Sequence, residues 1–181
     1  VYYADENGAL LQEDWLDLNG SRYYFGLENY ALTGLFTVNG QSFYGNTNGT
    51  LVSNTWKNLD SGWYYFGPEY SALTGLQVIG SNGYFFNTDG AAYTGLFTAP
   101  DGNLYFAGSS GVLSRNTWKT IGDSNYYMGT NYYALSGLAL IDGARYYFDS
   151  SKAAVSGFAT VNGATYYFDP VTFQALCGTQ A

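Results

Sequence analysis

The 181-residue chain carries 14 acidic against 6 basic side chains, a net charge of -8, and no histidine. Without a basic stripe to neutralise phosphates, neither nucleic acid nor an anionic lipid surface is an expected partner. No apolar run approaches the ~18 residues of a membrane span, and Cys177, the sole cysteine, excludes an internal disulfide or a cysteine-based metal site.

Aromatic residues make up 20% of the chain and recur at a fixed step, which points to a repeat architecture. Residues 1–11 read as a partial repeat, with Tyr2-Tyr3-Ala4 where an aromatic triplet should end. Eight units then begin near residues 14, 34, 55, 75, 95, 117, 137 and 157. In the first, Trp15 is followed ten residues later by Phe25. The same step joins Leu35 to Gly45, Trp56 to Phe66, Leu76 to Phe86 and Leu96 to Phe106. It continues from Trp118 to Met128, Leu138 to Phe148 and Phe158 to Phe168. Gly178 sits where a further unit should start. The expectation is a single repeat module over residues 1–181, cut from a longer secreted protein.

Each unit reads as one β-hairpin. A short apolar-rich segment leads into a turn such as Asn19-Gly20, Asn39-Gly40, Asp142-Gly143 or Asn162-Gly163. These dipeptides accept the positive φ of a two-residue hairpin turn. An aromatic strand follows, as in Tyr64-Tyr65-Phe66 or Tyr146-Tyr147-Phe148, and aromatic residues suit a half-buried pleated surface. The last triplet position is never polar, so it and the residue two before it define the expected buried face. A lone hairpin is marginal in water, so stacking must supply the core. The predicted fold is all-β: an elongated β-solenoid of about eight stacked hairpins.

Three units begin with Trp (Trp15, Trp56, Trp118) where the others have Leu or Phe. Their aromatic strands run into Gly and then Ala-Leu-Thr/Ser-Gly, with extra tyrosines in the connecting loop: Tyr30, Tyr70, and Tyr132 with Tyr133. Lys57 and Lys119 follow two of the Trp residues directly, and Trp63 adds a second indole to the third unit.

Gly-Leu-x-x-Ile/Val-Asp/Asn-Gly-x-x-Tyr-Tyr-Phe-Asp, clearest over Gly137 to Asp169, resembles the cell-wall-binding and glucan-binding repeats of Gram-positive bacteria. That family includes glucan-binding regions of glucansucrases, carbohydrate-binding tails of clostridial toxins and choline-binding modules of wall hydrolases. The resemblance implies a hairpin solenoid, secretion or cell-surface association, and ligand sites between adjacent hairpins. Choline-binding repeats typically carry a second Trp seven residues after the first, so that two rings and a third aromatic form a cage for a quaternary ammonium. That position here holds Arg22, Ser42, Trp63, Gly83, Asn103, Asn125, Arg145 and Thr165. Only the third unit keeps both indoles, and Arg22 and Arg145 would place a cation where the ligand's cation must sit. A polar residue before Tyr-Tyr-Phe is instead the pattern of the glucan-binding and toxin-tail repeats.

An enzyme is not expected. Without histidine there is no Ser–His or Cys–His pair, and carboxylates such as Glu13, Asp14, Glu28 and Glu69 read as solvated loop residues. Asp5 with Asn7, and Asn87 with Asp89, only faintly resemble calcium ligands. No cofactor, metal site or catalytic residue is expected. The leading expectation is a non-catalytic module that binds a glucan or another surface glycan and anchors a larger secreted or cell-surface protein. A choline or teichoic-acid wall-binding module and a self-associating spacer are the alternatives. Expected ligand-binding residues are Trp56, Trp63, Lys57 and Tyr70 in the third unit, Trp118, Lys119, Tyr132 and Tyr133 in the sixth, and Trp15 in the first. A rotation of about a third of a turn per hairpin would align units three and six on one face and point Trp15 to another.

Overall fold

The computed structural model describes residues 1–176, so Cys177 and Gly178 lie outside the described residues. Every regular element among those residues is a β-strand, and sixteen strands pair into eight antiparallel hairpins, numbered 1–8 in chain order. The first compact unit, Val1–Tyr93, holds β1–β2 (Asp14–Leu18, Ser21–Phe25), β3–β4 (Gly34–Val38, Gln41–Gly45), β5–β6 (Thr55–Leu59, Gly62–Phe66) and β7–β8 (Gly75–Ile79, Asn82–Phe86). The second begins at Thr94 and holds β9–β10 (Gly95–Thr98, Leu104–Ala107), β11–β12 (Thr117–Ile121, Ser124–Met128), β13–β14 (Gly137–Ile141, Ala144–Phe148) and β15–β16 (Gly157–Val161, Ala164–Phe168).

The turns behave as their residues require. Asn39 and Gly40 take φ of 50° and 77°, and Asn162 and Gly163 take 51° and 81°, a pair of positive values that matches the strands' right-handed twist. Hairpin 5 departs from this. Its turn is held by Asp101, which accepts hydrogen bonds from the Asn103 amide at 2.9 Å and the Tyr105 hydroxyl at 2.7 Å.

Each hairpin has two faces, because side chains alternate along a strand. One bears the final residue of the aromatic strand: Phe25, Phe66, Met128, Phe148 and Phe168 are at most 1% exposed. The other bears the unit's first residue and the ring across from it, as in Trp56 opposite Tyr65. Within each compact unit, hairpins stack the second face of one on the first face of the next. Tyr24 lies 6.0 Å from Phe36, Tyr44 6.0 Å from Phe66, and Tyr147 6.2 Å from Phe168.

Backbone bonds lock this stacking. Within each compact unit, linkers donate to the carbonyl seven residues after the first position of the preceding hairpin, or eight where hairpin 5 has its longer turn. Leu51 donates to Arg22, Ala72 to Ser42 and Ala92 to Trp63, each at 2.8 Å. The second unit repeats the stitch from Ala134 to Leu104, Ala154 to Asn125 and Ala175 to Arg145. The stitch itself is made by the backbone carbonyl at this position, whatever the side chain.

The core is composite. Tyr64 and Phe66 of hairpin 3 pack with Val52, Ala72 and Ala91 from three successive linkers and with Tyr44 of hairpin 2. Burying a ring such as Phe66 contributes roughly 2–3 kcal/mol, yet its partners come from neighbouring repeats, so no hairpin carries its own core. Glycine marks the closest approach. A Cβ on Gly67 would lie 2.9 Å from Leu73 Cδ2, and equivalents on Gly26 and Gly129 would meet Leu32 at 2.7 Å and Leu135 at 2.9 Å. This is why the Trp units pair Gly with Ala-Leu-Thr/Ser-Gly.

Candidate functional site

The three Trp hairpins present one recurring arrangement. The indole lies on the outgoing face, its cross-strand tyrosine beside it, and an aromatic ring of the next hairpin closes over it. Trp15 sits 4.7 Å from Tyr24 and 5.0 Å from Phe43. Trp56 sits 5.1 Å from Tyr65 and 4.7 Å from Tyr84. Trp118 sits 5.3 Å from Tyr127 and 5.0 Å from Tyr146. All three indoles remain half-buried, so each has one open side. The residue seven positions on shares that face and differs each time: Arg22, Trp63 and Asn125.

In hairpin 3 the two indoles meet as a corner, 6.3 Å between centroids with planes at 82°. Two perpendicular π faces give a cation attractive surface on two sides. In hairpin 6, Trp118, Asn125 and Tyr146 line a cavity of ≈ 240 Å³ together with Val171, Thr172 and Phe173 from the linker after hairpin 8. In hairpin 1, Trp15, Arg22, Phe43, Val38, Asn39, Gln41 and Glu69 line a cavity of ≈ 290 Å³. There the Arg22 guanidinium lies over the Trp15 ring at 4.9 Å and over Tyr70 at 5.7 Å, with Asp17 3.7 Å from its Nε.

Of the residues expected from sequence, Trp56 and Trp63 come together, while the rest are distributed differently. Tyr70 leaves hairpin 3 and reaches Arg22 of hairpin 1, because a linker packs backward onto earlier repeats. Tyr132 meets Arg115, whose Nη1 donates to its hydroxyl at 3.3 Å, and Tyr133 packs 6.1 Å from Tyr105 of hairpin 5. Lys57 and Lys119 point to the incoming face, away from their own Trp neighbours, and lie over Tyr44 at 4.8 Å and Phe106 at 5.0 Å. The rings that do close the seats, Phe43, Tyr84, Tyr146 and Phe173, were not singled out. Phe43, Tyr84 and Tyr146 lie on the aromatic strand of the next hairpin, while Phe173 comes from a linker. Tyr70 and Phe173 take φ of 67° and 60°, strain of about 1–2 kcal/mol that sequence cannot display.

The acidic loop pairs have a local explanation. Asp5 Oδ1 accepts from the Asn7 and Ala9 amides, and Asn87 Oδ1 from Asp89 and Ala91, all at 2.9 Å. Asp149 does the same for Ser151 and Ala153. Burial pushes the Asp149 carboxyl up, but bonds from the Ser151 hydroxyl and the two amides outweigh it and hold it below the usual range. These side chains cap turns, as Asx residues do.

Two family models match the sequence. One, described as "Choline-binding repeat", covers residues 73–118. The other, described as "Putative cell wall binding repeat", covers 54–68, 116–131 and 156–170. The matched segments are repeats of the choline-binding, cell-wall-binding type. No curated protein sequence matches it. Among solved structures it is similar to CbpJ from Streptococcus pneumoniae TIGR4, with TM-score 0.80 and 24% identity, and to choline binding protein F from Streptococcus pneumoniae, with TM-score 0.77 and 24% identity. Each of those matches covers 97% of this chain and 61% of the other, so the chain spans about 61% of their length. The choline-binding domain of CbpL from Streptococcus pneumoniae matches with TM-score 0.68 and 22% identity, over 99% of this chain and 93% of that one. At these identities the likeness is one of fold.

Proposed function

We propose that the chain is a non-catalytic cell-wall-binding module that holds quaternary ammonium groups, such as wall-polymer choline, in the seats at Trp56 and Trp118. The observation that carries this reading is the Trp56–Trp63 corner, closed by Tyr84 4.7 Å from Trp56. A permanent cation there gains roughly 0.5–2 kcal/mol from each ring face. The net charge of -8 also favours the approach of cations. The match to choline-binding and cell-wall-binding repeat models supports this ligand over the glucan that the sequence pattern put first. In this reading the module anchors a larger secreted or cell-surface protein to the wall, and repetition of weak seats raises avidity for a repetitive polymer.

A neutral sugar remains a second reading, favoured by one feature. The cavity at Trp118 sets Asn125 and Thr172 beside the indole face, an aromatic platform with polar groups at its rim. Isothermal titration with choline and with dextran separates the two. Choline binding that is lost in Trp56→Ala supports the first reading. Dextran binding with no choline response replaces it with the second.

A further inference from the structure

We propose that Arg22 is a built-in occupant of the first Trp seat, so that its guanidinium takes the place an external quaternary ammonium takes in the seats of hairpins 3 and 6. The inference rests on the proposed function for those two seats and adds that the first is closed from within.

At hairpin 1 a cation of the chain itself lies on the indole face, and it bounds the ≈ 290 Å³ cavity beside that ring. Two rings face the guanidinium, Trp15 at 4.9 Å and Tyr70 at 5.7 Å. Two carboxylates accompany it: Asp17 lies 3.7 Å from Nε, and Glu69 lines the same cavity. The Nε itself is buried and has no hydrogen-bond partner, so hydrogen bonding does not account for this placement. Aromatic faces and nearby negative charge do, and they are what recognise a quaternary ammonium, which cannot donate hydrogen bonds. Tyr70 holds a left-handed φ of 67° to stand there.

Comparison with the other Trp hairpins isolates the residue responsible. The stitch is made by the carbonyl at this position, which accepts from Leu51 in hairpin 1, Ala92 in hairpin 3 and Ala154 in hairpin 6. The side chain beside the indole is what differs: Trp63 builds a second wall, Asn125 lines the ≈ 240 Å³ cavity at Trp118, and Arg22 lays its guanidinium over the Trp15 face. Lys57 over Tyr44 and Lys119 over Phe106 place further internal cations on aromatic rings between hairpins. Among the three Trp seats of the described residues, the cation–ring contact falls on Trp15, while the Trp56 and Trp118 faces carry none.

The test is a choline titration followed by the indole N–H resonances of the four tryptophans, in the parent chain and in Arg22→Asn and Arg22→Trp. Both substitutions copy residues the chain already accommodates next to a Trp, so at least one should fold. In the parent, the Trp56 and Trp118 resonances should move and Trp15 should not. In either variant, Trp15 should move as well, with one additional choline bound per chain. The reciprocal variant Asn125→Arg should silence Trp118 and leave Trp56 responsive. A Trp15 resonance that moves in the parent overturns the proposal, because Arg22 then blocks nothing. A Trp15 that stays still in both folded variants while Trp56 responds also overturns it, and leaves the wall-binding reading intact. Silence of every tryptophan in every protein instead removes the wall-binding reading, and the occupancy proposal with it.

Discussion

The seats of hairpin 1 and hairpin 6 are built alike and differ in what fills them. Each sets a Trp against the aromatic ring of the next hairpin, Phe43 or Tyr146. Each receives a residue at positive φ from the linker two hairpins on, Tyr70 beside Arg22 or Phe173 at the cavity beside Trp118. The difference lies in Arg22 against Asn125. In both hairpins the stitching bond is made by the carbonyl of that residue, so the same backbone bond carries two different side chains.

The largest expected effect tests the shared scaffold. Phe148 is 1% exposed and 5.7 Å from Trp118, and Phe148→Ala should cost about 3–5 kcal/mol in urea unfolding and destroy the seat above it. A loss below about 1 kcal/mol would show that the seat does not rest on the composite core.

Next come the two indoles. Trp118→Ala should weaken choline binding at that seat at least tenfold, since it removes the platform itself, whereas Trp15→Ala should leave choline affinity within about twofold. Equal effects from the two would abolish the distinction between an open and a filled seat. Phe173→Ala should be milder, about 3- to 30-fold at the Trp118 seat, the worth of one ring face. An unchanged isotherm would place Phe173 in packing alone.

The smallest effect concerns acid stability. Asp149 and Asp101 have folded-state values below the ordinary carboxylate value of about 3.9. In both, burial pushes the carboxyl up, but bonds from Ser151 and Ala153, or from the Tyr105 hydroxyl and Asn103, outweigh it. Burial and then the bond to Asp101 raise Tyr105 well above the ordinary phenol range. A lowered carboxyl contributes stability that is complete above the unfolded value and is lost as pH falls through the folded one. The urea midpoint should therefore hold from pH 7 to about pH 5 and decline below pH 4. Asp149→Asn should flatten part of that decline, and an identical acid limb in this variant would remove Asp149 from the account.

Much of the fold was legible because it is local. Asn39-Gly40 announces its turn, and the never-polar final position announces the buried face that Phe66 and Met128 occupy. The Trp56–Trp63 corner was legible for the same reason, since both rings belong to one hairpin. Contacts that skip a repeat were not. Tyr70 was read with the Trp of its own unit, yet the linker turns back and delivers it to Arg22. Phe173 carries no periodic signal at all, since it sits in an irregular linker after the last hairpin. Lys57 and Lys119 were read with the Trp beside them, although neighbours on a strand face opposite ways.

The most direct measurement of the central claim is a crystal structure of the chain grown with choline. The expected result is an ammonium group in the corner between Trp56 and Trp63 and another over Trp118, with the Arg22 guanidinium still over Trp15. Choline bound elsewhere on the chain, with both of those seats empty, would contradict it.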